Sequence, residues 1–361
     1  MRGLAGSFIE SRSGSFAPIL VLAMIPLITA VGFSVDYTSA VQTRSTEQAA
    51  LDAAILSITT MDTASTKPQR QLVLQDTYKE NGGQGTATLN SFDVSANGTA
   101  TAQATASFAM KTVFMQMARI PTVAIGVTSA VNKAPALVEA TFKVSGVSGY
   151  WNKTMTLYGT AFGAKEKDAK PLMTIDYAYG GTGDPKGYGT TTVSVLTTDS
   201  AGKTVTTVAQ KQVCKLVDSN TPASAVILTD GFRTRYYCVD TMYPADGAGA
   251  QINVSQMAGL YLKMNVPSGN PRNLATNDPT TSDRLYSGLK SEQTGAIDYN
   301  EMATGQIVDI FRLVPCGGTA YQAWEDGGNK VPAPVSNADF FYNVSGKCDF
   351  NKRPNNTRLT Q

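Results

Sequence analysis

Residues 16–35 read FAPILVLAMIPLITAVGFSV, an uncharged and largely apolar run in a chain that is otherwise polar. Twenty residues of α-helix rise about 30 Å, which matches the hydrocarbon thickness of a bilayer. The two polar side chains in the run, Thr29 and Ser34, can each donate a hydrogen bond to a carbonyl of the same helix. The run therefore predicts a single transmembrane helix at residues 16–35.

Charged residues beside this run predict its orientation. Arg2 and Arg12 precede the run, whereas the first basic residue after it is Arg44. Since basic residues next to a span favour the cytoplasmic side, residues 1–15 are expected inside and the bulk of the chain in the periplasm or at the cell surface. The competing interpretation is a signal peptide cleaved near Ala30, but the run is longer than the usual apolar core of a signal.

The helix is expected to continue beyond the span as a periplasmic extension over residues 36–60. This segment contains no Gly or Pro and is rich in Ala, which favours helix. Leu51, Ala54, Ile55 and Ile58 recur at spacings of three and four and so form one apolar stripe. The stripe needs a partner surface, either the following domain or a neighbouring subunit.

Three segments around the span resemble the N-terminal region of TadG-like proteins (TadE/TadG family), which belong to the tight-adherence, or Flp, pilus assembly systems of bacteria. They are Ser13–Pro18, Val31–Tyr37 and Gln48–Ala54, in the order and at the spacing of the family pattern. The resemblance is close over residues 12–60 and looser up to residue 133. It implies a component of pilus biogenesis anchored in the bacterial inner membrane, with other pilus-assembly proteins as partners.

Two properties of related proteins do not carry over to this chain. Pilins cut by the prepilin peptidase have a Glu shortly after the cleavage-site glycine; here Pro18 and Ile19 fill that region, so such cleavage is not expected. Longer family members have a von Willebrand A-type domain with a DxSxS metal motif. The nearest segments here begin at Asp62 and Asp93, and neither fits.

Composition argues against several classes of function. Thirty basic and 28 acidic residues give a formal charge of +2 without a dense basic stripe, so nothing indicates nucleic-acid binding. The chain has no histidine, which removes Ser-His-Asp and Cys-His nucleophiles and all His-containing zinc sites. We therefore expect a protein that is not an enzyme and needs no cofactor. An extracytoplasmic hydrolase is a third hypothesis, but no catalytic motif supports it.

Four cysteines, Cys214, Cys238, Cys316 and Cys348, lie in the second half of the chain, and none is in CxxC spacing. Outside the cytoplasm an even count favours disulfides. The four can pair in three ways, and buried free thiols are the alternative. Sequential pairing would close loops of about 25 and 33 residues, each worth roughly 3–4 kcal/mol in the chain-entropy model.

Two domains are expected after the helix, which gives an α+β fold class. Residues 61–133 predict a small α/β, pilin-like module that includes a hairpin around Asn97 and an apolar helix at Met110–Arg119. Residues 137–361 contain many short alternating strands separated by Gly- and Pro-rich turns. That pattern is typical of a large, mostly antiparallel β-sandwich.

One loop of the β-rich domain, Trp324–Lys330, combines an aromatic ring with acidic groups. The candidate ligand surface consists of Trp151, Trp324, Glu325 and Asp326. Aromatic faces can stack on sugar rings, and acidic Gly-rich loops can bind calcium, with Asp278 and Asp283 as further ligands. The alternative is that both tryptophans are core residues and the loop is a turn.

Two principal hypotheses of function remain. In the first, the protein is a membrane-anchored structural and assembly component of the Flp pilus that acts by anchoring and protein–protein contact. In the second, its β-rich domain is an adhesin that binds surface glycans.

Overall fold

The structure is a computed structural model that describes residues 16–181, 186–229, 233–291, 296–303, 305–327, 334–353 and 356–360. The chain divides into two compact units. The first comprises Met1–Ala134 and Lys352–Gln361, and the second comprises Pro135–Asn351. The predicted cytoplasmic segment, residues 1–15, lies outside the described residues.

The first unit begins with the long helix α1 (Phe16–Ile58) and the shorter helix α2 (Lys67–Glu80). Strands β1 (Thr86–Val94), β2 (Ala100–Lys111) and β3 (Thr122–Lys133) follow and pair antiparallel in chain order. The expected continuation of the span into one uninterrupted helix is confirmed. As predicted, side-chain hydroxyls inside the span bond back to helical carbonyls: Thr29 Oγ1 donates to Ile25 O at 2.8 Å, and Ser34 Oγ donates to Ala30 O at 3.0 Å.

The prediction of an apolar helix at Met110–Arg119 is wrong. Strand β2 runs to Lys111, and only a short 3-10 turn, Met115–Ala118, follows it. In β2 every second residue from Ala100 is buried, except the half-buried Phe108, so the strand period extends through Met110 and this segment forms strand, not helix. Arg119, at φ 64°, then turns the chain toward β3.

The core of the first unit lies between the helices and the sheet. From α1 it takes the predicted stripe of Leu51, Ala54, Ile55 and Ile58, which are fully buried, and in addition Ala50, which is 1% exposed. Leu74 and Tyr78 of α2 and small alanines of β2 complete it. The stripe therefore finds its partner within this chain.

The second unit contains the strands β4 to β17. They are Ala136–Val147, Lys153–Ala161, Lys170–Tyr179, Gly189–Thr198, Thr204–Leu216, Leu228–Thr229, Arg235–Met242, Ala250–Asn253, Met257–Asn265, Asn273–Ala275, Leu285–Lys290, Ile297–Glu301, Thr319–Trp324 and Phe340–Asp349.

These strands form two antiparallel sheets. One has the order β13-β12-β5-β6-β7-β8-β10-β9 and the other the order β11-β4-β17-β16-β14-β15. Residues of both sheets share one core, to which the smaller sheet contributes Phe142 and the larger one contributes Met155 and Ile175. An α+β chain with a large, mostly antiparallel β-domain is confirmed.

The chain ends by returning to the first unit. Strand β18 (Thr357–Leu359) pairs antiparallel with β3, with Thr357 opposite Lys133 and Leu359 opposite Val131. Residues 352–361 were expected to belong to the β-rich domain. They belong to the first unit because the free edge of β3 offers backbone hydrogen bonds to a further strand.

The cysteines pair sequentially, which is one of the three connectivities that the sequence allowed. Cys214 and Cys238 lie directly opposite each other on β8 and β10 and form one disulfide. Cys316 and Cys348 form the other, which ties the segment before β16 to β17.

Candidate functional site

Helix α1 passes through two different environments. Within residues 20–35 eight large apolar side chains are exposed, whereas that of Phe33 is half-buried. The exposed ones range from 48% to 69%: Leu20, Leu22, Met24, Ile25, Leu27, Ile28, Val31 and Val35. These side chains point to all sides of the helix, since successive residues are rotated by about 100°. In the described part of the chain this is the one helix long and apolar enough to cross a membrane. A surface that is apolar all round suits lipid.

The C-terminal half of α1 is held to the sheet by polar residues of the segment Gln48–Ala54. Gln48 Nε2 donates to Asp52 Oδ1 at 2.9 Å and to the carbonyl of Thr128 on β3 at 3.0 Å. Ser129 Oγ, also on β3, donates to Asp52 Oδ1 at 2.5 Å. Gln48 and Asp52 are one helical turn apart, so they form a pair that faces the strand. The segment Gln48–Ala54 thus supplies two residues of the apolar stripe, Leu51 and Ala54, together with its polar border.

Asp36, in the segment Val31–Tyr37, binds the loop between β2 and β3. We call this loop, residues 112–121, the collar loop. Asp36 Oδ2 accepts the backbone N–H groups of Met115 at 2.6 Å and Phe114 at 2.8 Å, and Oδ1 accepts that of Val113 at 3.1 Å. Burial raises the pKa of Asp36, but these hydrogen bonds outweigh it and hold the pKa below its ordinary value of 3.8.

The collar loop also lies against Gly32, one turn before Asp36. A Cβ at Gly32 would come within 2.6 Å of the Phe114 side chain, so glycine is needed for this approach. Other apolar side chains of the loop point to solvent, with Val113 and Met117 each 63% exposed and Ile120 45% exposed. An apolar loop therefore lies against one side of the helix just where its apolar span ends.

Two buried cations hold the other end of α1. Arg70 Nη1 donates to the carbonyl of Ile58 at 2.5 Å, and Arg70 Nη2 donates to that of Asp62 at 2.8 Å. Lys133 Nζ donates to the carbonyl of Thr59 at 2.6 Å. The last carbonyls of a helix lack partners inside the helix and carry partial negative charge, so cations stabilise this end. Burial, and after it the charge of Arg70, lowers the pKa of Lys133 to about 8.

The roles of Arg70 and Lys133 at the end of α1 were not predicted from the sequence. A signal was available for Lys133, because in β3 it continues the alternation of buried positions through Val127, Ser129 and Val131. Arg70 gave no such signal, since α2 is mostly polar.

The predicted ligand surface in the second unit is divided by the fold. Trp324 is fully buried, and its Nε1 donates to the hydroxyl of Tyr342 at 3.2 Å. Trp151 is half-buried against the same core. A ring without exposed area cannot stack on a sugar, so Trp324 is a core residue, as the alternative interpretation held. Residues 328–330 of the predicted loop lie outside the described residues.

Glu325 and Asp326 are brought together with a third carboxylate, Asp339. One oxygen of each lies within 4.8 Å of the others; within the described residues this group includes neither Asp278 nor Asp283. Lys153 Nζ lies 2.5 Å from Asp326 Oδ2. We call these five charged residues the ionic cluster: Lys153, Lys186, Glu325, Asp326 and Asp339.

The strand pattern explains why a lysine lies inside. In β5 every second residue from Lys153 to Gly159 is buried, so Lys153 shares the core face with Met155 and Leu157. The acidic partners stand at the end of β16 and just before β17, which pair with each other. Gly149, at φ +109°, leaves room for the ammonium, since a Cβ there would lie 2.8 Å from Lys153 Nζ.

Burial is the largest influence on the pKa of Asp339 in the cluster. It raises the pKa of Asp339 to about 6, while Lys153 opposes this rise and Asp326 adds to it. Lys186 Nζ lies 3.5 Å from Asp339 Oδ1, on the more open side. The ammonium of Lys153 supplies the positive charge that a calcium ion would bring, so the cluster is built as a set of ion pairs.

Comparison with known proteins concerns the first unit. No curated protein and no solved structure matches the chain. Residues 14–57 match the Tad family model, described as Flp pilus-assembly TadE/G-like. The match ends one residue before the end of α1 and includes Asp36, Gln48 and Asp52, whose contacts are described above. The resemblance predicted from the sequence is thus confirmed: the N-terminal region of this chain is similar to the TadE/G-like proteins of Flp pilus assembly.

Proposed function

We propose that this protein is a structural component of Flp pilus assembly that is anchored in the bacterial inner membrane by residues 16–35 of α1. Its two units lie outside the cytoplasm and act by protein–protein contact, without catalytic turnover. The observation that carries this proposal is the change along α1. One continuous helix exposes apolar side chains on all sides up to Val35 and buries them from Ala50 onward, within the segment similar to Tad proteins.

The collar loop supports the same anchoring. Its exposed Val113, Met117 and Ile120 lie beside the end of the span, and exposed Lys111 and Arg119 flank them. Apolar side chains next to cations suit the boundary between acyl chains and headgroups. The loop rests on the membrane surface in this proposal, and Asp36 fixes its distance from the span.

Membrane extraction tests the anchor. In Leu27→Arg/Ile28→Arg, two exposed span residues become charged, each at a cost of about 2.5–3.5 kcal/mol at the centre of a bilayer. We expect this variant to leave the membrane pellet in a carbonate wash, whereas wild type and the control Gln42→Arg, on the exposed extension, stay. Equal retention of all three would contradict the anchor.

Protease protection tests the orientation. A C-terminal tag should be digested in spheroplasts of the expressing bacterium, while a tag before residue 1 should resist until the membrane is opened. A C-terminal tag protected in intact spheroplasts would contradict the proposal.

Deletion tests the role in the pilus. Cells of a bacterium with a Flp system that lack this chain should lose surface pili, and wild type should restore them. A photo-crosslinking residue at Val41, which is exposed above the span, should capture other pilus-assembly proteins. Normal piliation without the chain would contradict an assembly role.

A further inference from the structure

We propose that Lys153 and Asp326 become joined by an intramolecular amide bond, formed by condensation of the lysine ε-amine with the aspartate side-chain carboxyl. The cross-link would be a covalent modification of the second unit. It goes beyond the role in pilus assembly and can be tested without it.

The two reacting groups are already in contact. Lys153 Nζ lies 2.5 Å from Asp326 Oδ2, and the two side chains are 0% and 4% exposed. Lys153 Nζ also donates to the carbonyl of Ser148 at 2.8 Å, which fixes its direction. Groups held in contact in one orientation react as if at very high local concentration.

Condensation requires both reacting groups in their neutral forms. The hydroxyl of Tyr177 donates to the carbonyl of Gly149 at 2.9 Å and not to the Lys153 amine. A proton can pass from the ammonium to the Asp326 carboxylate along their hydrogen bond, which leaves an amine and a carboxylic acid.

Asp339 is placed to move protons during the reaction. Its carboxylate belongs to the group within 4.8 Å, and a Cβ added to neighbouring Gly149 would lie near Lys153, Asp326 and Asp339 together. Its pKa of about 6 allows it both to hold and to release a proton near neutral pH. We assign Asp339 as the proton carrier.

The step balances without any further reactant. The amine nitrogen of Lys153 attacks the Cγ atom of Asp326 and forms the C–N bond. Asp339 gives its proton to the departing hydroxyl of Asp326 and takes one from the nitrogen. The C–O bond breaks, one water leaves, and Asp339 ends in the protonation state in which it began.

The bond would connect the two sheets of the second unit. Lys153 opens β5 of the larger sheet, Asp326 follows β16 of the smaller one, and 173 positions separate them. A pull applied at residues 135 and 351 would then pass through the amide and leave most of the unit unloaded.

Mass spectrometry of purified, reduced, full-length protein tests the proposal. Wild type should weigh one water less than its sequence. Trypsin should release one branched peptide that contains both Lys153 and Asp326, since an acylated lysine is not cleaved. Lys153→Met and Asp326→Ala should regain the full mass, and Lys347→Met, at an exposed position of β17, should not. Folded wild type of full mass would overturn the proposal.

Two variants separate the amide from a second route to water loss and test the proton carrier. Asp326-Gly327 can lose water by forming a succinimide; water loss that persists in Lys153→Met would mark that reaction and overturn the cross-link. Asp339→Asn keeps both reacting groups, so it should fold with both disulfides yet form the bond at least tenfold more slowly. An unchanged rate would overturn the role of Asp339. If Lys153→Met does not fold, the branched peptide in wild type decides alone.

Discussion

The carboxylate of Asp36 accepts the backbone N–H of Met115 at 2.6 Å, although 79 positions separate the two residues in the chain. The contact ties the first residue after the apolar run to the collar loop. One carboxylate thus accepts three backbone N–H groups of a loop whose Val113, Met117 and Ile120 side chains point to solvent.

Replacing Asp36 with Ala should release the collar loop. Three N–H groups lose their acceptor, so trypsin should cut at Arg119 faster than in wild type. The matched control is Asp93→Ala, on an exposed position of β1.

Because the folded pKa of Asp36 is lowered, the stabilisation that its carboxylate gives is present above pH 3.8 and is lost as the pH falls below that value. Pulse proteolysis of wild type with an acid-active protease should show cleavage of the collar loop rising below pH 3.8. Equal cleavage of Asp36→Ala and Asp93→Ala by trypsin would contradict the role of Asp36 in holding the loop.

Arg70→Met should destabilise the first unit by about 2–3 kcal/mol. The substitution keeps an unbranched apolar stem but removes the guanidinium, which leaves the carbonyls of Ile58 and Asp62 without their charged donor. Chemical denaturation followed by helix circular dichroism measures the loss. Arg44→Met, at an exposed position of α1, should change stability by less than about 0.5 kcal/mol. Equal effects of the two would show that Arg70 does not cap the helix.

Lys133 should make the first unit more stable in alkali. Its folded pKa of about 8 lies below the ordinary 10.5, so between these values the unfolded chain binds the extra proton. The unfolding free energy contributed by this group therefore rises with pH over that interval. In Lys133→Met the rise should be smaller than in wild type when denaturation midpoints are compared at pH 7.5 and above. If the denaturation midpoints of wild type and Lys133→Met changed with pH in parallel, this would contradict a lowered pKa of Lys133.

The two disulfides should stabilise the second unit by similar amounts. The cysteines are 24 and 32 positions apart, which corresponds to about 3–4 kcal/mol for each loop in the chain-entropy model. We expect Cys214→Ala/Cys238→Ala and Cys316→Ala/Cys348→Ala each to lower the midpoint of thermal unfolding. Reducing agent should lower the unfolding midpoint of wild type by more than either double substitution does, because it breaks both disulfides. Insensitivity of wild type to reductant would contradict this contribution.

Much of the first unit could be predicted because its signals are local. An uncharged run of 20 residues, an Ala-rich continuation and an apolar stripe at helical spacing predict α1 whatever surrounds them. The failed helix at Met110–Arg119 had a weaker signal, since a short apolar run is compatible with either period. There the pairing of β2 with β3 decided, through hydrogen bonds that no local pattern contains.

In the second unit, sequence alone determined the class of structure but not its sites. Alternation and turn residues specify strands with one inner face, because successive side chains point to opposite sides. They do not specify which strands become neighbours. Glu325 and Asp326 were noticed as acidic loop residues. The other three members of the ionic cluster come from elsewhere: Lys153 from β5, Lys186 from the segment before β7, and Asp339 from the approach to β17. Only tertiary structure decides such contacts, since they depend on how distant strand ends meet in space.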